Sequence, residues 1–151
     1  MQRSGRLGVF LLTITLGVLT GGCAGTSGSI EGTWKTTTGG AGDRDEMWFD
    51  FESDRTGDFH GTTSASTDFI WTRFDGVDQL QDFIARTGVS LRESVRDGTP
   101  LPYSPGGAYL ALVDTTASKG FPLMRIVSLD RTQLVVEFEG TGTILSMERV
   151  D

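Results

Sequence analysis

The chain has 151 residues, 13 basic against 20 acidic, a formal charge of −7, one cysteine and one histidine. That length is one domain with one core, and the acidic balance repels phosphate backbones, which argues against a nucleic-acid partner. A lone cysteine excludes an intrachain disulfide, and any histidine-based zinc site or Ser-His-Asp triad would have to be built around His60.

The first residues carry the parts of an export signal. Arg3 and Arg6 form a short basic start, Leu7 to Leu19 is uncharged and apolar, and Thr20, Gly21 and Gly22 are small residues before Cys23. The apolar run is shorter than the roughly 20 residues that span a bilayer as a helix, so it suits a cleaved signal. The stretch Leu-Gly-Val-Leu-Thr-Gly-Gly-Cys at 16–23 resembles the lipobox of bacterial lipoproteins, with Thr20 where that family usually has Leu. The resemblance implies a signal peptide over 1–22, a lipid anchor on Cys23 and a flexible Gly/Ser/Thr tether over 23–29. Several acyl chains on one residue hold a protein on a membrane, where one chain alone is marginal. Ala24 in place of Asp implies, for a Gram-negative cell, the outer membrane facing the periplasm. The mature chain would then carry 11 basic and 20 acidic residues, a charge of −9, because the signal holds two of the 13 basic groups and no acidic one.

From Ile30 onward the pattern is β. Ile30 to Thr38 is aromatic and Thr-rich, a strand composition, and 39–45 is a glycine-rich loop. Glu46 to Glu52 alternates, with Met47, Phe49 and Phe51 on one face and Trp48, Asp50 and Glu52 on the other. Ser53 to Gly57 is a turn in which Gly57 suits a left-handed backbone, and Asp58 to Thr63 completes a hairpin. Asp68 to Phe74 is apolar on both faces, so one face should line an interior while the other packs on something.

Val77, Leu80, Ile84 and Thr87 then fall at helical spacing, predicting a helix over 77–86 with Asp75 or Asp78 as cap and Gly88 as its end. Residues 89–96 read either as a strand, from Val89, Leu91 and Val95, or as a short helix, from the capping box of Ser90 and Glu93. Residues 97–107 are a Pro/Gly loop. Four strands follow, over 108–114, 121–129, 134–139 and 143–150, joined by tight turns. Short strands in sequence order form an antiparallel meander, and closure into a small barrel removes its edges. The expected fold is therefore mainly β, with one helix packed on the barrel.

Gly32-Thr33-Trp34 on the first strand, the hairpin Phe49 to Phe59, the hairpin Ile126 to Phe138 and the final Met147-Glu148-Arg149-Val150 together resemble lipocalin-like proteins, especially small bacterial lipoproteins of that type. The resemblance covers most of 30–151 and implies a lipocalin-like barrel in which an Arg of the last strand comes near the motif Trp. Gly32, Trp34 and Arg149 are then barrel-closure residues, and Arg149 on the Trp34 face would form a cation–π pair.

A small barrel either fills its interior or keeps a cavity for one ligand. Trp48, Phe51, Trp71, Phe74 and Tyr109 are the candidate ligand-binding residues, with the helix at 77–86 as a lid. Asp43, Asp45 and Glu46 lack a metal-loop spacing, and Asp54 and Asp58 flank a turn. His60 has no nucleophile in view, and Ser104 stands in no motif. No catalytic residue, cofactor or metal is expected. Two readings stand: an envelope lipoprotein that binds a small apolar or amphipathic ligand, and a packed barrel that docks another envelope protein through an outer face or the 97–107 loop.

Overall fold

A computed structural model of the chain describes residues 28–37, 46–62, 64–115 and 123–151. The segment expected to be a signal peptide, Cys23, most of the expected tether, Asp43 and Asp45 lie outside the described residues. Among those described are eight strands and two helices: β1 (Gly32–Thr36), β2 (Met47–Phe51), β3 (Thr56–Gly61), β4 (Thr67–Phe74), α1 (Val77–Thr87), α2 (Leu91–Asp97), β5 (Tyr109–Asp114), β6 (Met124–Leu129), β7 (Gln133–Phe138) and β8 (Ile144–Arg149).

Each strand pairs antiparallel with the next, and β8 returns to β1, closing an eight-stranded barrel. The closing register sets Trp34 opposite Arg149 and Thr36 opposite Met147. Alternation sends one face of each strand inward. Phe49 and Phe51 of β2, Phe69 and Trp71 of β4, Leu110 and Leu112 of β5, Leu134 and Val136 of β7 and Met147 of β8 share one buried core.

β4 and β5 are apolar on both faces because their outer wall is covered. Phe74 and Thr72 of β4, with Ala111 and Val113 of β5, point away from the interior yet are buried. α1 packs on β4, α2 packs on β5, and the Thr72 hydroxyl donates to the Pro102 carbonyl. There are thus two helices where one was expected. The ambiguous 89–96 segment resolves as helix, because the Ser90 side chain accepts from the Glu93 N–H while the Glu93 carboxylate accepts from the Ser90 N–H. Both helices end on left-handed glycines, Gly88 at φ 71° and Gly98 at φ 72°.

Two local expectations are corrected. The residue flanking the start of α1 is Gly76, with no side-chain cap. Asp75 instead accepts from the Ser104 hydroxyl at 2.7 Å, which ties the proline loop to the base of the helix. In the β2–β3 turn the left-handed residue is Arg55, at φ 71°, not Gly57. Gly57 is needed for space: a Cβ there would collide with the Asp50 carbonyl and the Phe69 ring.

In this up-and-down topology the end of β1 and the starts of β2, β6 and β8 share one end of the barrel. The start of β1, the end of β8 and the β2–β3, β4–β5 and β6–β7 connections share the opposite end, which is plugged. Ile30 and Trp34 are buried there, and the Trp34 indole N–H donates to the Ile30 carbonyl at 2.7 Å. The Arg149 guanidinium carbon lies 4.4 Å from the Trp34 ring centroid, and its nitrogens donate to the carbonyls of Glu31 (2.6 Å) and Ser29 (2.9 Å). Gly32, at φ 119°, leaves room for that guanidinium; a Cβ would strike Arg149. Arg73, 2% exposed, donates to the Gly107 carbonyl (2.8 and 3.1 Å) and to the Gly28 carbonyl (3.3 Å), and burial lowers its pKa.

Candidate functional site

Toward the end opposite the plug the barrel keeps a cavity of about 300 Å³. Its position follows from the strand ends that line it: Met47 begins β2, Phe59 lies near the end of β3, Met124 begins β6 and Phe138 ends β7. Phe49, Phe51, Leu110, Leu112, Leu145 and Met147 form the rest of the wall. Thr143, in the exposed β7–β8 connection, is the one hydroxyl among the described lining residues.

β3 contributes Phe59 to the cavity wall; its other inward positions are Gly57, covered by the Phe69 ring, and Gly61, opposite Met47, where a Cβ would meet the Ser64 hydroxyl. Phe49 bridges Phe51 and Phe59, with ring centroids 6.4 and 5.3 Å away. These three rings line the cavity together with Met124 and Met147.

Met47, Met124 and Met147 are all the methionines after Met1, and all three line this cavity. Thioether side chains are unbranched and polarizable, so they adapt to the shape of whatever lies against them. Among the described residues none of the lining side chains is titratable. These residues offer burial and dispersion, with a polar contact at Thr143 near the surface.

Of the five candidate ligand-binding residues, Phe51 alone lines this cavity. Trp71 is interior but lies toward the plugged end, where its indole N–H donates to the carbonyls of Thr56 (3.1 Å) and Glu52 (3.2 Å) and its ring meets Tyr103 edge-on. Phe74 and Tyr109 pair across β4 and β5 on the outer wall, stacked with centroids 6.0 Å apart. Trp48 is also on the outer face, stacked on the His60 ring at 5.5 Å with Lys35 Nζ 5.4 Å from its own ring. The period-2 alternation of β2 already puts Trp48 opposite Met47, Phe49 and Phe51, and ring size alone carries no information about the side. α1 is not a lid. It lies on the outside of β4, and none of its residues lines the cavity.

The polar candidates have local partners. Glu46 pairs with Lys35 at 2.7 Å. Asp54 accepts from the N–H (2.9 Å) and hydroxyl (2.6 Å) of Thr56, and these bonds hold its carboxyl below the usual carboxylate range. Asp58 accepts from Ser66 Oγ at 2.9 Å and meets His60 Nδ1 at 3.1 Å. The methionine trio was the signal missed in the sequence. Its members are 77 and 23 residues apart, and only barrel closure brings them together. No protein-family model matches the chain, and comparison with curated proteins and with solved structures gives no match either.

Proposed function

We propose that this protein is a lipid-anchored envelope lipoprotein, similar to small lipocalin-like lipoproteins, whose barrel binds a small apolar ligand without chemical conversion. The observation that carries the reading is the cavity of about 300 Å³ with an apolar wall from six strands and, among the described residues, a single hydroxyl near the surface. A cavity of roughly 150 Å³ lined by aliphatic and aromatic side chains stays dry and takes a benzene ring. Twice that volume suits on the order of a dozen carbon atoms. The ligand is uncharged where it is buried, since no lining residue among those described can pair with a charge. A polar end, if it has one, stays beside Thr143. The anchoring half of the reading is supported by the lipobox-like sequence ending at Cys23.

Two experiments test the halves separately. A neutral apolar fluorophore such as N-phenyl-1-naphthylamine, titrated into the protein, should brighten saturably, and a medium-chain alcohol should displace it. No saturable signal contradicts the binding half. In a bacterial host fed labelled palmitate, the wild-type chain should take up label and sediment with membranes, and Cys23→Ser should do neither. Label that persists in Cys23→Ser contradicts the anchor.

A further inference from the structure

The register of the first hairpin assembles a second site, on the outside of the barrel. Asp50 of β2 stands directly opposite Asp58 of β3, and Trp48 stands opposite His60. Asp50, Asp58 and His60 therefore share the outer face of two adjacent strands, and each offers a ligand atom lying within 4.8 Å of the others. We propose that these three side chains bind one divalent transition-metal ion of the zinc class.

The donor set points to that class. An imidazole nitrogen with two carboxylate oxygens suits zinc-like ions, whereas calcium and magnesium take oxygen donors. Three protein ligands with a fourth position open to water is an ordinary zinc arrangement. The spacing is close to what the metal needs. Zinc–nitrogen and zinc–oxygen bonds of about 2.0–2.2 Å at a tetrahedral angle set the two donor atoms about 3.4 Å apart. His60 Nδ1 and Asp58 Oδ2 are 3.1 Å apart. Binding replaces their mutual contact with two metal bonds after a small opening of the pair, and Asp50, whose oxygen lies within 4.8 Å of both, closes on the ion.

The surroundings hold the ligands in place. The His60 ring lies flat against Trp48, 11° from parallel, which fixes its plane. The Ser66 hydroxyl donates to Asp58 from the β3–β4 connection, the kind of outer contact that orients a ligating carboxylate. Both ligating strands are paired on both sides. Without a cation the arrangement is costly, because like charges directly opposite on neighbouring strands repel, and Asp58 faces Asp50 on one side and Asp68 on the other. Among the described residues no Lys or Arg forms an ion pair with Asp50 or Asp58. A divalent ion turns this repulsion into bonding, and a chain of net charge −7 attracts it.

The test is calorimetric titration of the untagged full-length protein in detergent with zinc chloride, then with calcium chloride. The expected result is one equivalent of zinc. Affinity should fall in both His60→Ala and Asp58→Asn by at least the roughly tenfold that loss of even an outer-shell contact costs. Asp68→Asn should bind within about twofold of wild type, since its carboxylate is not one of the three ligands. Absence of saturable zinc binding, zinc binding unchanged in His60→Ala, or calcium bound as tightly as zinc each overturns the proposal. All three substitutions are on the outer surface, and circular dichroism of each checks that the barrel is intact.

Discussion

Arg149 and Trp34 face each other across the seam where the last strand meets the first, with the guanidinium 4.4 Å from the indole centroid. The same guanidinium holds the Ser29 and Glu31 carbonyls, so one side chain fastens β8, β1 and the segment before β1. The sheet has no free edge because this seam is shut. Arg149→Ala removes the ring contact and leaves two carbonyls without their charged donor. It should cost about 2–4 kcal/mol in urea unfolding. Arg149→Lys keeps a charge but not the fork, and should fall between the two. Equal stability of all three proteins would contradict the role of the seam.

Gly57 is predicted to tolerate no side chain. A Cβ there meets the Asp50 carbonyl and the Phe69 ring, both in a packed wall. Gly57→Ala should destabilise by about 1–3 kcal/mol, the usual range for overpacking. Gly106→Ala, where a Cβ meets nothing within 4 Å, should be near neutral. Thermal melts of the two variants read the difference.

Acid should weaken the fold through three turn and cap carboxylates. Asp54 accepts from Thr56, Asp130 accepts from the N–H groups of Thr132 and Gln133 and from the Thr132 hydroxyl, and Glu93 accepts from Ser90. In each case these hydrogen bonds lower the folded-state pKa, from ordinary values of 3.8 for Asp and 4.5 for Glu. A lowered folded pKa means a contribution that is complete above the ordinary value and is lost as pH falls through the folded one. Stability should therefore hold near neutrality and decline below about pH 4. In the Asp54→Asn/Asp130→Asn double variant the decline should be shallower. An identical acid limb in that variant would contradict the assignment.

Filling the cavity should abolish binding without unfolding the barrel. Leu145 is half-buried in the lining. Leu145→Trp puts an indole into the space, so the fluorophore signal should disappear while the far-ultraviolet circular dichroism stays that of a barrel. Trp48→Ala, on the outer face, should leave fluorophore binding within about twofold of wild type. Loss of binding in Trp48→Ala with retention in Leu145→Trp would put the ligand elsewhere.

Most of the barrel was legible because its strands carry local signals. Met47, Phe49 and Phe51 alternate with polar neighbours, and the turns are marked by Asp-Arg-Thr at 130–132 and Gly-Thr-Gly at 140–142. Even the two-sided apolarity of β4 and β5 was informative, since Phe74 and Val113 are buried under loop and helix. α2 was ambiguous because its seven residues are too few for periodicity to outweigh alternation, and the cap interactions decided it. The cavity was not legible. Its location depends on which end is plugged and on the closure that brings Met47, Met124 and Met147 together, and neither leaves a local pattern. Ring size likewise carries no information about side: Trp48, Phe74 and Tyr109 lie on the outside of the wall, and Trp71 lies toward the plugged end. The Asp50–Asp58–His60 group arises from cross-strand register, which a single strand does not encode.

The proposed ligand is a small apolar molecule in the cavity between Phe49, Met124 and Met147. The most direct measurement of it is the native mass of the protein as purified, compared with its mass after denaturation and with the native mass of Leu145→Trp. A bound ligand gives extra mass on the wild-type protein that is released by denaturation and is absent from the filled variant. Extra mass equally present on Leu145→Trp, or a wild-type protein that carries none and takes up none from a mixture of medium-chain alcohols, would contradict the proposal.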